Sequence, residues 1–328
     1  MKCVLVADTH LGIYQSSDLW HGIVLNLFKE IREYCDENKI HTIIHLGDFF
    51  HDRKVLNTKS QFVAHQIAEN LEGIDTFLII GNHDLYYKDN LVPTSLDVFK
   101  NYPDIHIIRE VFEMQSDRMI LCPWGTIPEG FRSGYVFGHF EFSGFKMNSN
   151  YLCQTGENPD SQFWRKFKVF SGHFHWPSIN DHITYLGSAY PQTFHDVDSP
   201  RGYYLFDSGE LTFIEYKSAP KFVKIQTNNI NNEIIRNNIV KLIFTEDYGS
   251  VKNQQIIDEV LSFGPTRLQP DFSQAKLEGT EEKIEISDVS LLDHDEIIDS
   301  YVGKIEIPPH MNKKTVITMM KKLKEGEE

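Results

Sequence analysis

The sequence has 328 residues, of which 41% are hydrophobic, so the chain can bury a large core and has room for one large domain and a smaller one. Its formal net charge of −15 lacks the basic footprint that is usual for proteins that bind nucleic acids. The four cysteines are far apart and include no Cys-x-x-Cys pair, which argues against a zinc ribbon or a disulfide framework and favours reduced, buried thiols. No apolar run approaches about 18 residues, so we expect neither a signal peptide nor a membrane span.

The first hundred residues alternate apolar runs with amphipathic stretches, an order that predicts parallel strands joined by crossover helices. In such a sheet, ligands bind at the carboxyl ends of the strands. We expect Phe62, Ile67 and Leu71 to face inward from the second helix. The predicted elements are strand Val4 to Ala7, a helix from the Ser16-Ser17-Asp18 cap to near Asn38, strand Thr42 to Leu46, a helix from about Lys59 to Leu71, and strand Phe77 to Ile80.

From residue 105 onward the predicted strands are shorter, and the character of the sequence changes again near residues 216–220. We place strands at 105–108, 119–122, 135–137, 168–170 and 183–186, then a hairpin of 203–206 and 211–216 with its turn at 207–210. Domain boundaries are predicted at 1–218, 219–290 and 291–328. The middle segment is predicted to be a small α+β unit with strands at 222–226, 239–244 and 284–286 and a helix at 251–263.

The last segment contains an amphipathic helix, predicted from about Asn312 to Lys324. Its apolar stripe is Val316, Met319, Met320 and Leu323. The helix follows a Pro-Pro break and has no evident core of its own, which favours docking into the groove of a partner. The alternative, that it folds back onto this chain, stays open.

Five of the predicted strands end in polar side chains. The sets are Asp8-Thr9-His10, Gly47-Asp48, Gly81-Asn82-His83-Asp84, Gly138-His139 and Gly172-His173-Phe174-His175. A histidine taken alone is more often structural, but carboxylate, imidazole and amide donors at five strand ends predict one metal centre built from separate loops. Because no cysteine takes part, the donors suit a pair of divalent ions such as Mn²⁺, with Mg²⁺ as the alternative, better than a structural zinc.

Two metal ions at one site need a carboxylate that bridges them, and the lone aspartate of the second set, Asp48, is the natural bridge. A metal pair of this kind ionises a water and binds the oxygens of a phosphate. The reaction implied is hydrolysis of a phosphate ester by in-line attack.

The ordered set of five resembles the calcineurin-like metallophosphoesterases. The resemblance implies an α/β fold whose β-sandwich core is flanked by helices, with a small α+β capping domain and a C-terminal helical tail. It assigns His83 to the leaving oxygen of the substrate as a non-ligand imidazole, oriented by Asp84. It assigns Asp8, His10, Asp48 and His175 to the first metal, and Asp48, Asn82, His139 and His173 to the second.

Within that superfamily, Gly47-Asp48-Phe49-Phe50-His51 is similar to the SbcD nuclease subunits, which work with SbcC-type coiled-coil ATPases. His51 then matches a residue that contacts the substrate phosphate. Residues 219–290 match the capping domain in size and order, and 291–328 match the linker and ATPase-binding helix. Gly138-His139-Phe140-Glu141 and Pro200-Arg201-Gly202 resemble the compact phage recombination nucleases of this family.

The resemblance implies an Mn²⁺-dependent DNA exonuclease and endonuclease that acts on double-stranded ends and single-stranded regions during repair, recombination or replication, in the host cytoplasm if a phage encodes it. It also implies a homodimer formed through helices, to which the stripe beginning at Leu19, with Trp20 on a neighbouring face, is a candidate contributor. Because the chain is acidic, we expect the isolated protein to bind DNA weakly. The alternatives are a stand-alone phosphatase or small-molecule phosphodiesterase, and a scaffold whose centre has decayed.

Overall fold

Residues 2–216 of the computed structural model form two packed six-stranded sheets with helices on one side; the described residues of the chain are 2–88, 90–114, 118–148 and 150–275. The helices are α1 (Ile13–Ser16, a single turn), α2 (Asp18–Asn38) and α3 (Thr58–Asn70). In chain order, the strands are β1 (Lys2–Val6), β2 (Thr42–His45), β3 (Asp75–Ile79), β4 (Leu85–Tyr87), β5 (Asn90–Thr94), β6 (Ile105–Ile108), β7 (Phe112–Met114), β8 (Met119–Cys122), β9 (Gly134–His139), β10 (Phe167–Gly172), β11 (Ser178–Asn180), β12 (Ile183–Tyr185), β13 (Gly202–Asp207) and β14 (Glu210–Glu215).

The first sheet has the order β14-β13-β1-β2-β3-β6 and the second has the order β11-β12-β10-β9-β8-β7. Strands β1, β2, β3 and β6 are parallel, as are β8, β9, β10 and β12. Within each sheet, the carboxyl ends of these central strands therefore point the same way; the sequence predicted the parallel order for the first sheet.

Side chains alternate between the two faces of the first sheet. Val4 and Ile43 pack against the helices, whereas Leu5 and Ile44 pack against Phe137 and other residues of the second sheet. This period of two places one hydrophobic layer between the sheets and another under α2 and α3. The predicted α/β fold with a β-sandwich core flanked by helices is confirmed.

Both long helices lie where the sequence predicted them, but one inward residue was assigned wrongly. Phe62 is 61% exposed, and α3 instead buries Val63, Ala64 and Ile67. The reason is geometric, because Phe62 lies about 100° around the helix from Val63, outside the apolar stripe. On α2, the stripe that includes Ile23 belongs to the core of this chain, and so does Trp20.

Residues 222–271 form a small three-stranded parallel sheet with the order β15-β16-β17. Its elements are β15 (Phe222–Gln226), α4 (Asn232–Ile235), β16 (Ile239–Ile243), α5 (Ser250–Ser262) and β17 (Arg267–Asp271). The strand at 267–271 was not predicted, because it contains Pro270 and has charged residues, Arg267 and Asp271, at its ends, which is unusual for a strand. The predicted strand at 284–286 and helix at 312–324 lie outside the described residues, and the boundaries at 218 and 290 stay predictions.

The small sheet packs on the sandwich through aromatic rings. Phe222 of β15 stacks against Trp20 of α2, with ring centroids 6.0 Å apart, and meets Phe194 edge to face at 4.9 Å. Phe222 and Ile239 belong to the same buried cluster as the α2 side chains. The hydrophobic core under the helices thus continues into the small sheet.

The four cysteines are buried and free, as predicted. Across the described ranges, each helix falls short of the length or the hydrophobicity that crossing a bilayer requires.

Candidate metal centre

The five predicted sets of polar residues come together at one edge of the sandwich. Asp8, Asp48 and Asn82 lie just beyond β1, β2 and β3 of the first sheet. His139 is the last residue of β9, and His173 follows β10 directly, so the second sheet supplies its donors at the same edge. Strand direction therefore explains why residues up to 167 positions apart in the sequence meet.

Three groups of three possible donors meet here, and the donor atoms within each group lie within 4.8 Å of one another; one of them, His10 with His51 and His83, consists of histidines alone. The other two groups are Asp8, His10 and His175, and Asp48, His139 and His173. An oxygen of Asp48 lies 3.3 Å from Nε2 of His139 and 3.7 Å from Nε2 of His10. Asp48 thus sits between the two groups that contain an aspartate, where a carboxylate shared by two ions has to be.

The arrangement of these donors fits divalent cations. Nε2 of His10 lies 3.0 Å from Nε2 of His175, and Nδ1 of His10 is buried without a hydrogen-bond partner. The Asn82 side-chain oxygen is 3.0 Å from Nε2 of His139 and 3.1 Å from Nδ1 of His173. Ring nitrogens and a side-chain amide oxygen that converge on one buried space are donors that suit a bound divalent cation.

Four of the donor residues have a strained backbone. Asp8, His10, Asp48 and His173 have φ values of 53°, 42°, 56° and 90°, in the left-handed region that residues other than glycine rarely adopt. The backbone at Asp8 and His10 is held by hydrogen bonds to the loop after β2. The amide of Asp8 donates to Gly47 O at 3.2 Å, and the amide of His10 donates to Asp48 O at 3.0 Å. Strain of this kind is typical of functional sites, where the surrounding structure imposes it.

Two glycines allow the loops to approach so closely. A Cβ atom on Gly81 would overlap the backbone nitrogen and side chain of Asp48. A Cβ on Gly47 would overlap the ring of His139, and the φ of Gly47 is +92°. The glycines beside the metal-ligand candidates are therefore required by space.

Burial sets the protonation of the metal-free cluster. Burial raises the pKa of the Asp8 carboxyl to about 7, and it lowers the pKa of His173 to about 3. Burial also lowers the pKa of His139, but the adjacent Asp48 carboxylate outweighs this and raises it to about 9. Near neutral pH, protons on Asp8 and His139 therefore compete with a metal ion for the donors.

The Asp84 carboxylate, for which a role at His83 is expected, binds three backbone amides. Its carboxylate accepts hydrogen bonds from the amides of Asp48 (2.9 Å), Phe50 (3.0 Å) and Gly81 (2.9 Å) and makes no contact with the His83 ring. It therefore fixes the loop after β2 against the loop after β3.

The imidazole of His83 is held by a backbone carbonyl instead. Nδ1 of His83 lies 2.7 Å from the carbonyl oxygen of His51, and the amide of His83 donates to Asp48 Oδ1 at 2.8 Å. The His51 ring stacks on the His83 ring with centroids 5.7 Å apart, and both rings neighbour His10. The structure thus brings all ten predicted site residues together.

Several residues around the site were not found from the sequence. Oε2 of Glu141 lies 3.5 Å from Nε2 of His173, and Oε1 of Glu141 accepts from Thr155 at 2.6 Å. The Trp124 ring lies 5.0 Å from the His173 ring, and Gln192 donates to Asp8 O at 2.7 Å. Only Glu141 belongs to a motif quoted from the sequence, where it was given no role at the site; the others come from segments that carry no pattern.

Comparison with known proteins decides the family. The family model described as calcineurin-like phosphoesterase matches residues 1–199, which is more than half of the chain. The chain belongs to the calcineurin-like phosphoesterase family. The resemblance inferred from the five strand-end sets is therefore confirmed.

Several named proteins are similar to this chain. Exonuclease subunit 1 of Enterobacteria phage T4 is 32% identical over 223 residues, which are 63% of this chain and 65% of that protein. The chain thus spans just under two thirds of the length of this relative. Two solved structures align with it as well. They are nuclease MPE from Pseudomonas putida (TM-score 0.34, 16% identity, 64% of this chain and 86% of that one) and a dimetal phosphatase from Danio rerio (TM-score 0.39, 10% identity, 62% and 91%).

We expect the affinity of the protein for Mn²⁺ to rise between about pH 6 and pH 8. Metal binding must displace protons from Asp8, whose pKa is raised to about 7, and from His139, whose pKa is raised to about 9. Isothermal titration calorimetry in two buffers of different ionisation enthalpy measures both the affinity and the protons released. An affinity that does not change with pH, with no proton release, would contradict this assignment.

Replacing Asp84 by Asn should destabilise the loops as well as lower activity. Each buried amide that loses its acceptor costs about 1–3 kcal/mol, so the free energy of unfolding and the affinity for Mn²⁺ should both fall. Urea denaturation of the metal-free protein and a metal titration check this, with Asp181→Asn at a 73% exposed side chain as the control. Loss of turnover with unchanged stability would instead return Asp84 to a role at His83.

Proposed function

We propose that this protein is a metal-dependent DNA nuclease that hydrolyses phosphodiester bonds at the edge where the two sheets deliver their donors. The observation that carries the proposal is the pair of donor groups with Asp48 between them and His83 beside them. The name of the phage T4 relative, exonuclease subunit 1, supports nuclease action as the activity.

In this proposal the donors divide as the sequence suggested. Asp8, His10, Asp48 and His175 hold the first ion, and Asp48, Asn82, His139 and His173 hold the second. Mn²⁺ is the preferred ion, because imidazole and carboxylate donors together suit it better than they suit Mg²⁺. When bound, the ions supply an ionised water and neutralise charge on the phosphate.

The residues of the chain itself handle the leaving group. Nδ1 of His83 faces the carbonyl oxygen of His51 at 2.7 Å, so this nitrogen carries a proton and donates it to that carbonyl. Nε2 is then the nitrogen left to protonate the leaving oxygen or to stabilise the charge that develops on it. His51, stacked on His83, lies where it can contact the phosphate as the substrate binds.

The proposal also covers the mode of cleavage, the protein partner and the capping domain. We propose exonuclease and endonuclease action on DNA ends and single-stranded regions during recombination and repair. An SbcC-type ATPase would bind the C-terminal helix, which lies outside the described residues, and residues 219–290 would act as the capping domain. The host cytoplasm stays a prediction.

We also propose a homodimer, for which exposed apolar residues near α3 offer a surface. Phe62 is 61% exposed and Val55 is 70% exposed, although both are large apolar side chains. Large apolar side chains that stay exposed can mark a protein contact.

Replacing His83 by Ala should lower nucleotide release from linear duplex DNA by about 100- to 10,000-fold, while Mn²⁺ binding is kept, because His83 moves a proton and holds no metal. Release is measured with Mn²⁺ or Mg²⁺, with and without the ATPase subunit. His106→Ala, at a 40% exposed side chain on β6, is the matched control. Turnover of a phosphomonoester by a protein that is inert toward DNA would favour the phosphatase alternative and overturn the proposal.

Replacing Phe62 by Glu should convert the dimer to a monomer, because it places a charge in the apolar contact. Sedimentation velocity of the wild type and the variant at equal concentration measures this. Ile179→Glu, at a 76% exposed apolar residue on β11 of the other sheet, is the control. A wild type that is monomeric at every concentration would refute the homodimer.

A further inference from the structure

The hairpin of β4 and β5, which directly follows Asp84, presents two exposed aromatic rings. Tyr86 is 43% exposed and Tyr87 is 55% exposed, and Val92 on the opposite strand is 53% exposed. The core of the sandwich does not use these side chains, since only Leu85 of β4 is buried. The reaction described above leaves them without a role.

The two rings touch each other although their residues are consecutive. In a regular strand, neighbouring side chains point to opposite faces. Here the pairing is irregular, because Leu85 lies opposite Thr94 whereas Tyr87 lies opposite Asn90. Such irregularity twists a hairpin and re-aims its side chains, and the Tyr86 and Tyr87 rings meet edge to face with centroids 4.7 Å apart.

The base of this hairpin is bonded to the loop that carries His83. The carbonyl oxygen of Asp84 accepts from Oγ1 of Thr94 at 2.8 Å and from the amide of Ser95 at 2.9 Å. Asp84 in turn holds the amides of Asp48 and Gly81. The tyrosines are therefore fixed relative to the catalytic loops, and Tyr87 is three positions from Asp84, at most about 10 Å of extended chain.

The charge of the protein indicates which part of a nucleic acid this surface would contact. At a net charge of −15, attraction to phosphates is weak, so affinity for DNA has to come from contacts that do not depend on charge. Stacking of bases on aromatic rings is such a contact, and it operates on unpaired bases whatever their sequence. The occupant that suits this surface is therefore an unpaired nucleobase.

We infer that Tyr86 and Tyr87 form a stacking platform for unpaired bases of the DNA strand that is cleaved. The inference rests on the proposed nuclease function and assigns its substrate contact. The platform holds bases next to the scissile phosphate and so selects frayed ends and single-stranded regions over intact duplex.

Binding is tested with full-length, Mn²⁺-loaded protein in a His83→Ala background, which prevents turnover. The probe is a single-stranded oligonucleotide with 2-aminopurine near one end, whose fluorescence is quenched on stacking. Tyr86→Ala with Tyr87→Ala should weaken binding by about 5- to 150-fold and remove the quenching. Tyr86→Phe with Tyr87→Phe keeps the rings and should retain both, and Phe213→Ala, at a 40% exposed ring on β14, is the control. Equal binding and quenching by the alanine pair would overturn the inference.

Measurements of turnover distinguish a failure of the stacking platform from a failure of the proposed nuclease function. In the otherwise wild-type protein, the alanine pair should lower the ratio of single-stranded DNA cleavage to bis(p-nitrophenyl) phosphate hydrolysis by about 5-fold or more. An unchanged ratio, in a protein that cleaves DNA, refutes the platform alone. A wild type that hydrolyses the small diester but neither binds nor cleaves DNA refutes the nuclease function, and the platform with it.

Discussion

The site depends most on the close approach of the backbone after β3 to the backbone after β2. Gly81 permits this approach, because any side chain there would occupy the space of Asp48. The Asp84 carboxylate holds it, by accepting from amides in both loops. Asp48 reaches the position between the two donor groups only because both conditions are met. A residue expected to act on a catalytic histidine thus acts on the geometry of the bridging carboxylate.

The same approach concentrates charge on side chains that have little contact with bulk solvent. Asp8, Asp48 and Asp84 are each at most 2% exposed, and burial raises the pKa of both Asp8 and Asp84 to about 7. Without metal, the cluster is held by protons on groups that would otherwise repel one another. A divalent ion held by Asp8 and Asp48 would offset this repulsion, which would link metal binding to folding stability at this edge. The strained backbone at four donor residues is tolerated because the surrounding structure imposes it.

Much of the site could be predicted from the sequence because its signal is local. Each donor set follows directly on an apolar strand, and the parallel order of the strands then dictates that the sets meet. Contacts that depend on side-chain direction could not be predicted in this way. Phe62 and Val63 are neighbours in the sequence but face opposite environments, and the actual partner of His83, a carbonyl oxygen, leaves no trace in residue type. Gln192 reaches Asp8 from 184 positions away and belongs to no motif.

The acidic balance of the chain limits what the surface near the site can do. The buried aspartates count toward the charge of −15, yet in the proposed site two divalent ions offset about four negative charges, so the site itself need not repel a phosphate. The carboxylates on the rest of the surface still oppose a long DNA backbone at any distance that salt does not screen. Contacts of short range are not subject to that opposition. In the proposed function, the aromatic rings of the β4–β5 hairpin would be such a contact and would act on a few bases at the strand end. A partner with its own basic surface would instead offset the repulsion and hold the duplex behind that end.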